Sequence, residues 1–416
     1  MDALSSLVRA IGDFPAHKVL LAFAALLITA FYTIYAVLHL IAPKPRAVLP
    51  SEKTYKTTTS DGKVVTRQLP CWHDRWLAER QASENRETQE TDGPLVPIPD
   101  TGSIEPAEIR LSVVIPAYNE EKRILPALED AVKYLDAHFG RQSQPAAADN
   151  DEKKKGVMSP TSPRWQHRIP PEQARTGYEI IIVNDGSRDR TEEVVLDFAR
   201  KHELHDVLRL VTLARNRGKG GGVTHGLRHA RGEFALFADA DGASRFSDLG
   251  KLLEGCEDVT DAGHRGVAIG SRGHLVGSEA VVKRSALRNF LMRGFHFVLM
   301  ILTPPATSRL RDTQCGFKLF SREALPHIVP YMHAEGWIFD IEMLMLAESA
   351  PAVPVLSSDG AVIGSSPGIK VAEVPIDWHE VDGSKLNVIQ DSVRMAVGLA
   401  VLRASWMFGV YRRRLT

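Results

Sequence analysis

The chain has 416 residues, enough for one large domain or two ordinary ones with a sizeable core. Its 51 basic and 51 acidic side chains balance, so net charge gives no argument for a nucleic-acid partner, and we expect none. The three cysteines, Cys71, Cys256 and Cys315, form no C-x-x-C pair, which argues against a disulfide framework and a zinc site and favours a reducing compartment.

A long uncharged segment lies near the N-terminus. Residues 19–41 contain no Asp, Glu, Lys or Arg, and at about 1.5 Å per helical residue they span a hydrocarbon core of roughly 30 Å. The segment is too long for a signal-peptide core, so we predict a transmembrane anchor over 18–42, with a buried core helix as the alternative. More basic residues follow the segment than precede it, which predicts a lumenal N-terminus at 1–17 and a cytosolic remainder.

The remainder divides by composition. Residues 43–107 carry many prolines and charges with little periodicity, which predicts a cytosolic linker with some local structure. Over 108–385 strand patterns alternate with helix patterns, which predicts an α/β domain with a mostly parallel central sheet. Within it, 140–175 is rich in proline, serine and charge and is predicted to be a disordered insertion.

Two apolar helical stretches in the C-terminal third are interrupted by arginines. They cover residues 286–303 and 388–410, the second within a C-terminal segment, 386–416. Arginines along an apolar helix favour a position at the membrane surface, with the charges towards the headgroups. Core helices, or a further membrane span, are the alternatives.

Two aspartates follow a predicted buried strand in the stretch GEFALFADADGA. Asp239 and Asp241 are separated by Ala240, and because the strand ends there, both carboxylates can converge beyond its tip, where α/β folds bind ligands. Carboxylate oxygens suit Mg²⁺ or Mn²⁺, ions that hold substrate phosphates. The pattern therefore favours a divalent cation site, with helix-capping aspartates as the alternative.

Two further strands end in polar turns, SVVIPAYNEE and IIVNDGS. Asp185 in the second could accept a hydrogen bond from a nucleobase or a ribose, and Tyr118 in the first could stack on the base. The glycine-rich stretch NRGKGGG opens a predicted helix, whose N-terminus favours an anion, and Lys219 adds a charge for phosphate. Jointly these features predict a nucleotide pocket, with a flexible basic turn as the alternative for the glycine-rich stretch.

The chain resembles a known family in seven stretches: SVVIPAYNEEKRI, VNDGSRDRT, NRGKGGGV, RGEFALFADADGA, GSRGHL, RDTQCGFKLFSREA and WIFDIEMLMLA. Together they resemble the dolichyl-phosphate β-glucosyltransferases, inverting nucleotide-sugar glycosyltransferases of family 2 with the GT-A fold. The resemblance covers roughly residues 110–385, less the insertion. One departure is Asn184, which stands where the family often has the first of two aspartates.

The resemblance implies transfer of glucose from UDP-glucose to dolichyl phosphate with inversion, which gives dolichyl β-D-glucosyl phosphate and UDP. It also implies a single-pass protein of the endoplasmic reticulum membrane that supplies lipid-linked glucose for N-glycan precursor assembly. The alternatives are the mannosyl analogue, a dolichyl-phosphate mannose synthase that uses GDP-mannose, and a non-catalytic membrane scaffold.

The resemblance also implies residue roles. The metal ligands are Asp239 and Asp241, which are also catalytic together with Arg272 and Gln314. The donor-binding residues are Pro116, Tyr118, Glu120, Asp185, Lys219, Gly220 and Ala240. The candidates for the acceptor phosphate are Arg284, Arg288, Arg293, Arg311, Asp312 and Lys318. A phosphate monoester is mostly dianionic at neutral pH, so we predict no obligatory catalytic base and catalysis by positioning and electrostatics.

Overall fold

The computed structural model describes residues 15–89, 104–141, 176–275, 294, 299–357, 360–381 and 388–413. The N-terminal apolar segment forms one helix, α1 (Ala16–Ile41). Within the described ranges, α1 is the helix long and apolar enough to cross a membrane. Its most apolar stretch is not buried against the rest of the protein, which fits the predicted anchor better than a core helix.

A mixed sheet of nine strands forms the centre of the protein, in the spatial order β11-β7-β8-β6-β3-β4-β5-β1-β2. Its strands are β1 (Thr54–Thr58), β2 (Val64–Gln68), β3 (Ile109–Ala117), β4 (Tyr178–Asn184), β5 (Leu208–Thr212), β6 (Gly232–Ala238), β7 (Val267–Ser271), β8 (Phe317–Ser321) and β11 (Val371–Pro375). A separate antiparallel hairpin contains β9 (Val353–Leu356) and β10 (Val362–Ser366).

The predicted α/β fold with a mostly parallel centre is confirmed. Strand β3 pairs in parallel with β4 and β6, and β4 pairs in parallel with β5. These strands are buried almost throughout, because helices cover both faces, and their sequences are therefore apolar runs without alternation. Strand β8, which the sequence pattern did not predict, lies antiparallel between β6 and β7.

The helices that follow α1 pack on the sheet or connect its strands. They are α2 (Trp72–Gln89), α3 (Ile124–His138), α4 (Thr191–Lys201), α5 (Lys219–Leu227), α6 (Leu249–Val259), α7 (Pro305–Ser308), α8 (Leu325–Ile328), α9 (Phe339–Glu348) and α10 (Val388–Met407). Helices α3, α4 and α6 bury one apolar side each, as their amphipathic sequences require. Helix α9 is buried from Phe339 to Ala347.

The structure differs from the predicted linker over 43–107. Strands β1 and β2 extend the central sheet, since β1 pairs antiparallel with β5. The indole of Trp72 on α2 is 2% exposed and donates a hydrogen bond to the carbonyl of Leu227 at 2.8 Å. The outer sides of these two short strands face solvent, so the prolines and charges of the segment give no clear strand pattern. Because both strands belong to the sheet, the folded domain begins near residue 50.

Helix α10 has two different sides. Leu399 and Leu402 are fully buried against the domain core, whereas Val393 and Val397 are each 58% exposed. The ring of Phe408, just beyond the helix, lies 5.6 Å from that of Phe31 in α1. The helix therefore packs on both the domain and the anchor while an apolar strip stays uncovered. Most of the predicted 286–303 helix and nearly all of the predicted 140–175 insertion lie outside the described residues.

Candidate active site

The aspartate pair lies at the carboxyl end of β6, as predicted. The carboxylate of Asp239 accepts a hydrogen bond from Lys219 Nζ at 2.6 Å, and Asp241 accepts one from the N–H of Ala243 at 3.1 Å. Ala240, between them, is buried in the core. The methyl group of Ala240 thus packs inward, and the two carboxylates flank the position at which the chain leaves the sheet.

The electrostatics of the pair favour a cation. Burial raises the pKa of Asp241, and the neighbouring charge of Asp239 raises it further. Burial opposes the charge of Lys219, but the carboxylates of Asp239 and Asp340 outweigh it and raise the pKa of Lys219. Two partly buried carboxylates repel each other, and a cation between them stabilises the site.

The residues present fit a divalent ion held jointly with substrate. Across the described ranges, no group of three or more His, Cys, Asp or Glu side chains is placed to hold a metal alone. Mg²⁺ and Mn²⁺ commonly take one or two carboxylates and complete their coordination with phosphate oxygens and water. A two-carboxylate site beside a glycine-rich helix start, which favours anions, is of that kind.

Gly316 makes room for the Asp239 carboxylate. Its carbonyl accepts the N–H of Asp239 at 3.0 Å, and a Cβ on Gly316 would lie 2.0 Å from Asp239 Oδ2. Any side chain here would displace the carboxylate. The residue belongs to RDTQCGFK, but sequence reasoning did not single it out, because the approach depends on β8 pairing with β6.

The glycine-rich loop is held by Asp185. Its carboxylate accepts the N–H of Arg217 at 2.6 Å and that of Gly218 at 2.8 Å, and burial raises its pKa to about 6. Gly218 has a φ of +82°, which favours glycine. The structure therefore places Asp185 as the residue that shapes the loop at the start of α5.

The glycines of α5 also allow close packing. A Cβ on Gly220 would lie 2.5 Å from Cβ of Phe339, and one on Gly218 would lie 2.7 Å from the carbonyl oxygen of Glu335. Residues 334–339 therefore press directly on the start of α5. Sequence reasoning assigned these glycines to anion binding alone, and this second reason needed the tertiary contact.

The other residues predicted for the donor lie around the same edge. Pro116 packs under α5, where a Cβ on Gly222 would lie 3.2 Å from Pro116 Cβ. Tyr118 is partly exposed. Glu120 is buried, and its carboxylate binds the guanidinium of Arg123 at 2.7 Å. Glu120 thus orients Arg123, whose pKa is raised by this hydrogen bond and, to a lesser extent, by the nearby aspartate pair.

Arg272 and Gln314, which were predicted to be catalytic, lie near Arg311 and Asp312, which were predicted for the acceptor phosphate. Arg272 binds Asp312 at 2.6 Å, and its guanidinium lies 5.4 Å from the ring centre of Trp378. Arg311 is exposed at the start of the same loop. Gln314 follows in this loop, and its Nε2 lies 3.7 Å from the sulfur of Met395 on α10. Three of the six acceptor-phosphate candidates, Arg284, Arg288 and Arg293, lie outside the described residues.

The position of Lys318 corrects its predicted role. The prediction assigned it to the acceptor phosphate, but the side chain is 0% exposed and its ammonium binds Asp340 at 2.5 Å. It also donates to the carbonyl of Cys315 at 2.5 Å. Lys318 lies on β8 in the middle of the sheet, so it supports the floor of the site and does not reach a ligand. Asp312, already paired with Arg272, likewise orients that arginine; its own charge would repel a phosphate.

Sequence reasoning missed four residues around the site. Asp340 and Glu335 flank the start of α9 and bind Lys318 and Arg217, respectively. Arg123 lies beside the aspartate pair, and Arg46, which follows α1, reaches the glycine-rich loop. An acid inside the apolar stretch WIFDIEMLM was the available signal for Asp340. The other three partnerships join residues far apart in the chain and leave no local pattern.

Comparison with known proteins identifies the class of the domain. Residues 172–328 match the family model described as glycosyl transferase family 2. The parallel-centred α/β domain is thus a glycosyltransferase domain of family 2.

Its relatives define the family further. The Saccharomyces cerevisiae protein named dolichyl-phosphate beta-glucosyltransferase is 36% identical over 94% of this chain and 94% of that protein. The Homo sapiens protein of the same name is 36% identical over 74% of this chain and 79% of that protein. The chain belongs to the dolichyl-phosphate β-glucosyltransferase family.

Solved structures are more distant. Glucosyl-3-phosphoglycerate synthase from Mycobacterium tuberculosis, in complex with Mn²⁺ and uridine-diphosphate-glucose, aligns with 71% of this chain and 79% of that chain. The two are 17% identical, with a TM-score of 0.42. A likeness at this level carries no argument about the site.

Proposed function

We propose that this protein transfers glucose from UDP-glucose to dolichyl phosphate with inversion, giving dolichyl β-D-glucosyl phosphate and UDP. The observation that carries the proposal is the pairing of Asp239 and Asp241 with Lys219 at the start of the glycine-rich helix α5. That arrangement suits a diphosphate and a divalent cation. The names of the relatives supply the sugar and the lipid carrier.

The donor would lie across the carboxyl ends of β3, β4 and β6. The N-terminus of α5 presents backbone N–H groups and a positive dipole to the diphosphate. Lys219 and Arg123 add positive charge beside the aspartate pair. A divalent ion held by Asp239 and Asp241 would supply charge neutralisation for the departing UDP.

The acceptor is an anion that must approach a second anion. Arg272 and Arg311 stand on the side of the aspartate pair formed by β7 and β8, and their guanidinium groups suit a phosphate. The lipid phosphate is already a nucleophile at neutral pH, so the protein's task is to orient it and to offset charge. No side chain is assigned as general base.

The membrane arrangement follows from the apolar surfaces. Helix α1 would cross the endoplasmic reticulum membrane once, with the catalytic domain in the cytosol. The uncovered apolar strip of α10 would lie at the bilayer surface, where the lipid tail of the acceptor ends. This arrangement brings a membrane-embedded carrier to a site built for a soluble donor.

A donor comparison tests the reaction. Purified protein in detergent receives a polyprenyl phosphate with either UDP-glucose or GDP-mannose, and the lipid product is analysed. We expect glucosyl transfer from UDP-glucose, lost when the metal is chelated and restored by Mg²⁺ or Mn²⁺. Mannosyl transfer without glucosyl transfer would reject the proposal in favour of the mannosyl analogue.

An aspartate variant tests the scaffold alternative. Asp241→Asn removes one negative charge from the pair and is expected to lower transfer roughly 100-fold or more. Asp197→Asn, at an exposed ion pair on α4, is the matched control and should retain full activity. Equal activity of the two variants would contradict the assignment of the metal site.

A further inference from the structure

The exit of the membrane anchor is hydrogen-bonded to the glycine-rich loop through Arg46, Arg217 and Glu335, which we call the exit cluster. Arg217 Nε donates to Glu335 Oε1 at 2.8 Å, and Arg217 Nη2 donates to the carbonyl of Arg46 at 2.8 Å. The backbone N–H of Arg46 donates to Glu335 Oε1 at 3.2 Å. Three distant parts of the chain therefore share one network.

The exit cluster holds the loop from two sides. The Arg46 guanidinium donates to the carbonyl of Asn216 at 3.1 Å. From the other side, the carbonyl of Glu335 accepts the N–H of Gly221 at 3.2 Å. The bonded stretch, 216–221, contains the loop and the first residues of α5, whose N–H groups would face the donor diphosphate.

The membrane side of the exit cluster is equally constrained. Arg46 follows the last residue of α1, Ile41, by only five positions (46 − 41), and the intervening Pro43 and Pro45 restrict the backbone. The carbonyl of Pro43 accepts the hydroxyl of Tyr411 at 2.5 Å. The anchor therefore joins the loop through a short segment that is held at both ends.

Charge makes Glu335 the critical member. The Arg217 side chain is 5% exposed, and among residues the structure describes, none accepts a hydrogen bond from its Nη1. Glu335, 2.5 Å from Arg217 Nη2, is the carboxylate that offsets this buried charge. Removing one partner of a buried ion pair leaves the other charge uncompensated, so loss of Glu335 would release Arg217 and the loop with it.

We propose that the exit cluster positions the donor-binding loop and fixes its place relative to the membrane anchor. Arg46, Arg217 and Glu335 are positioning residues: they act through the loop and need not touch the donor. The identity of the donor rests on the proposed function. The consequence is that donor affinity depends on residues at the membrane exit, which no local motif marks as part of a nucleotide site.

The test uses the full-length protein in detergent, with UDP and Mn²⁺ as the binding probe and UDP-glucose with polyprenyl phosphate for kinetics. For Glu335→Ala we expect the Kd for UDP and the KM for UDP-glucose to rise about tenfold, while kcat at saturating donor and the KM for the acceptor change less than about twofold. Arg46→Ala removes the hydrogen bond to the carbonyl of Asn216 and a 3.7 Å ion pair with Glu335, both at an exposed side chain, and should raise the donor values about threefold.

Two further variants keep the test decisive. Glu335→Gln preserves size and one acceptor oxygen, so it serves if Glu335→Ala does not fold, and it should raise the donor KM by a smaller factor. Glu193→Gln, in an exposed ion pair on α4, is the matched control and should change neither constant. The double variant Arg46→Ala/Glu335→Gln should raise the donor KM by less than the product of the two single fold-changes, because both residues act on one network.

The outcomes separate this inference from the proposed function. Unchanged UDP affinity and donor KM in folded Glu335→Gln and Glu335→Ala would overturn the role of the exit cluster, as would an equal loss of kcat with donor KM constant. If wild-type protein binds UDP but transfers no glucose, the proposed function fails while the binding comparison still decides the inference. Absence of UDP binding by the wild type would overturn both.

Discussion

At the scale of single residues, the site depends on close approaches that only one residue type allows. Gly316 lies against the Asp239 carboxylate and Gly220 against the ring of Phe339. Gly316 lies where the end of β6 meets the start of β8, and Gly220 lies where α5 meets α9. Their absent side chains are what allow these two close approaches.

Replacing Gly316 should therefore impair catalysis. A methyl group at this position would displace the carboxylate of Asp239, so we expect Gly316→Ala to lower kcat/KM roughly 100-fold. The control is Gly364→Ala in the exposed hairpin, where a Cβ meets nothing within 4 Å. Steady-state kinetics with thermal unfolding checks the result, and an active Gly316→Ala protein would show that Asp239 need not occupy this position.

The buried carboxyl group of Asp185 predicts a pH dependence of donor binding. Burial raises its pKa from 3.8 to about 6, so the group takes up a proton as the pH falls through about 6. The protonated form loses acceptor strength towards the N–H groups of Arg217 and Gly218, which loosens the loop. The KM for UDP-glucose should therefore rise as the pH falls below about 6.

The contribution of Asp185 to folding stability depends on pH in the opposite direction. Because the pKa in the folded state exceeds that of the unfolded chain, this group contributes less to stability as the pH rises from 3.8 to about 6. Measuring the donor KM of wild type and Asp185→Asn across this range checks the prediction. The acceptor phosphate titrates equally in both proteins, so only Asp185→Asn should lack the rise of the donor KM at low pH. Parallel pH profiles of the donor KM for the two proteins would contradict the prediction.

At the scale of secondary-structure elements, the segment that follows the anchor belongs to the folded domain. Strands β1 and β2 extend the sheet beyond β5, and α2 covers the neighbouring helix α5 through Trp72. This segment also supplies Glu52, whose carboxylate accepts the N–H of Ala214 just before the glycine-rich loop. It thereby supports the chain where it enters the loop.

Truncating the Trp72 indole should destabilise the domain. The side chain is buried and hydrogen-bonded, so Trp72→Ala is expected to lower the free energy of unfolding by about 3–5 kcal/mol. Trp72→Phe keeps most of the apolar contact and should cost about 1–2 kcal/mol through the lost hydrogen bond. Chemical denaturation of the full-length protein in detergent measures both, and an unchanged midpoint for Trp72→Ala would restore the interpretation of this segment as a linker.

At the scale of the whole molecule, the proposed membrane topology places the two ends of α1 in different compartments. We expect an N-linked glycosylation site introduced before residue 15 to be modified in microsomes. The same site introduced after residue 413 should stay unmodified, because the C-terminus stays with the cytosolic domain. Gel mobility before and after glycosidase treatment gives the readout, and modification of the C-terminal site alone would reverse the predicted orientation.

The sequence by itself determined the features that depend on neighbouring residues. The uncharged run at 19–41 predicts an anchor of the right length, and the alternation of apolar runs with amphipathic stretches predicts the parallel-centred fold. Asp239, Asp241 and Lys219 could be placed at one sheet edge because the carboxyl ends of parallel strands share that edge. The positions of most strands along the chain and the buried faces of the helices are expressed locally, as periodicity and turns.

The tertiary structure decided the contacts between distant segments. In the folded protein Asp340 binds Lys318, so that lysine does not serve the acceptor site. Glu335 binds Arg217 near the segment that follows α1. A buried charge has one sequence signature whether it binds a ligand or a partner side chain. Which of the two it binds depends on the burial and distance that packing creates, and these are properties of the folded chain alone.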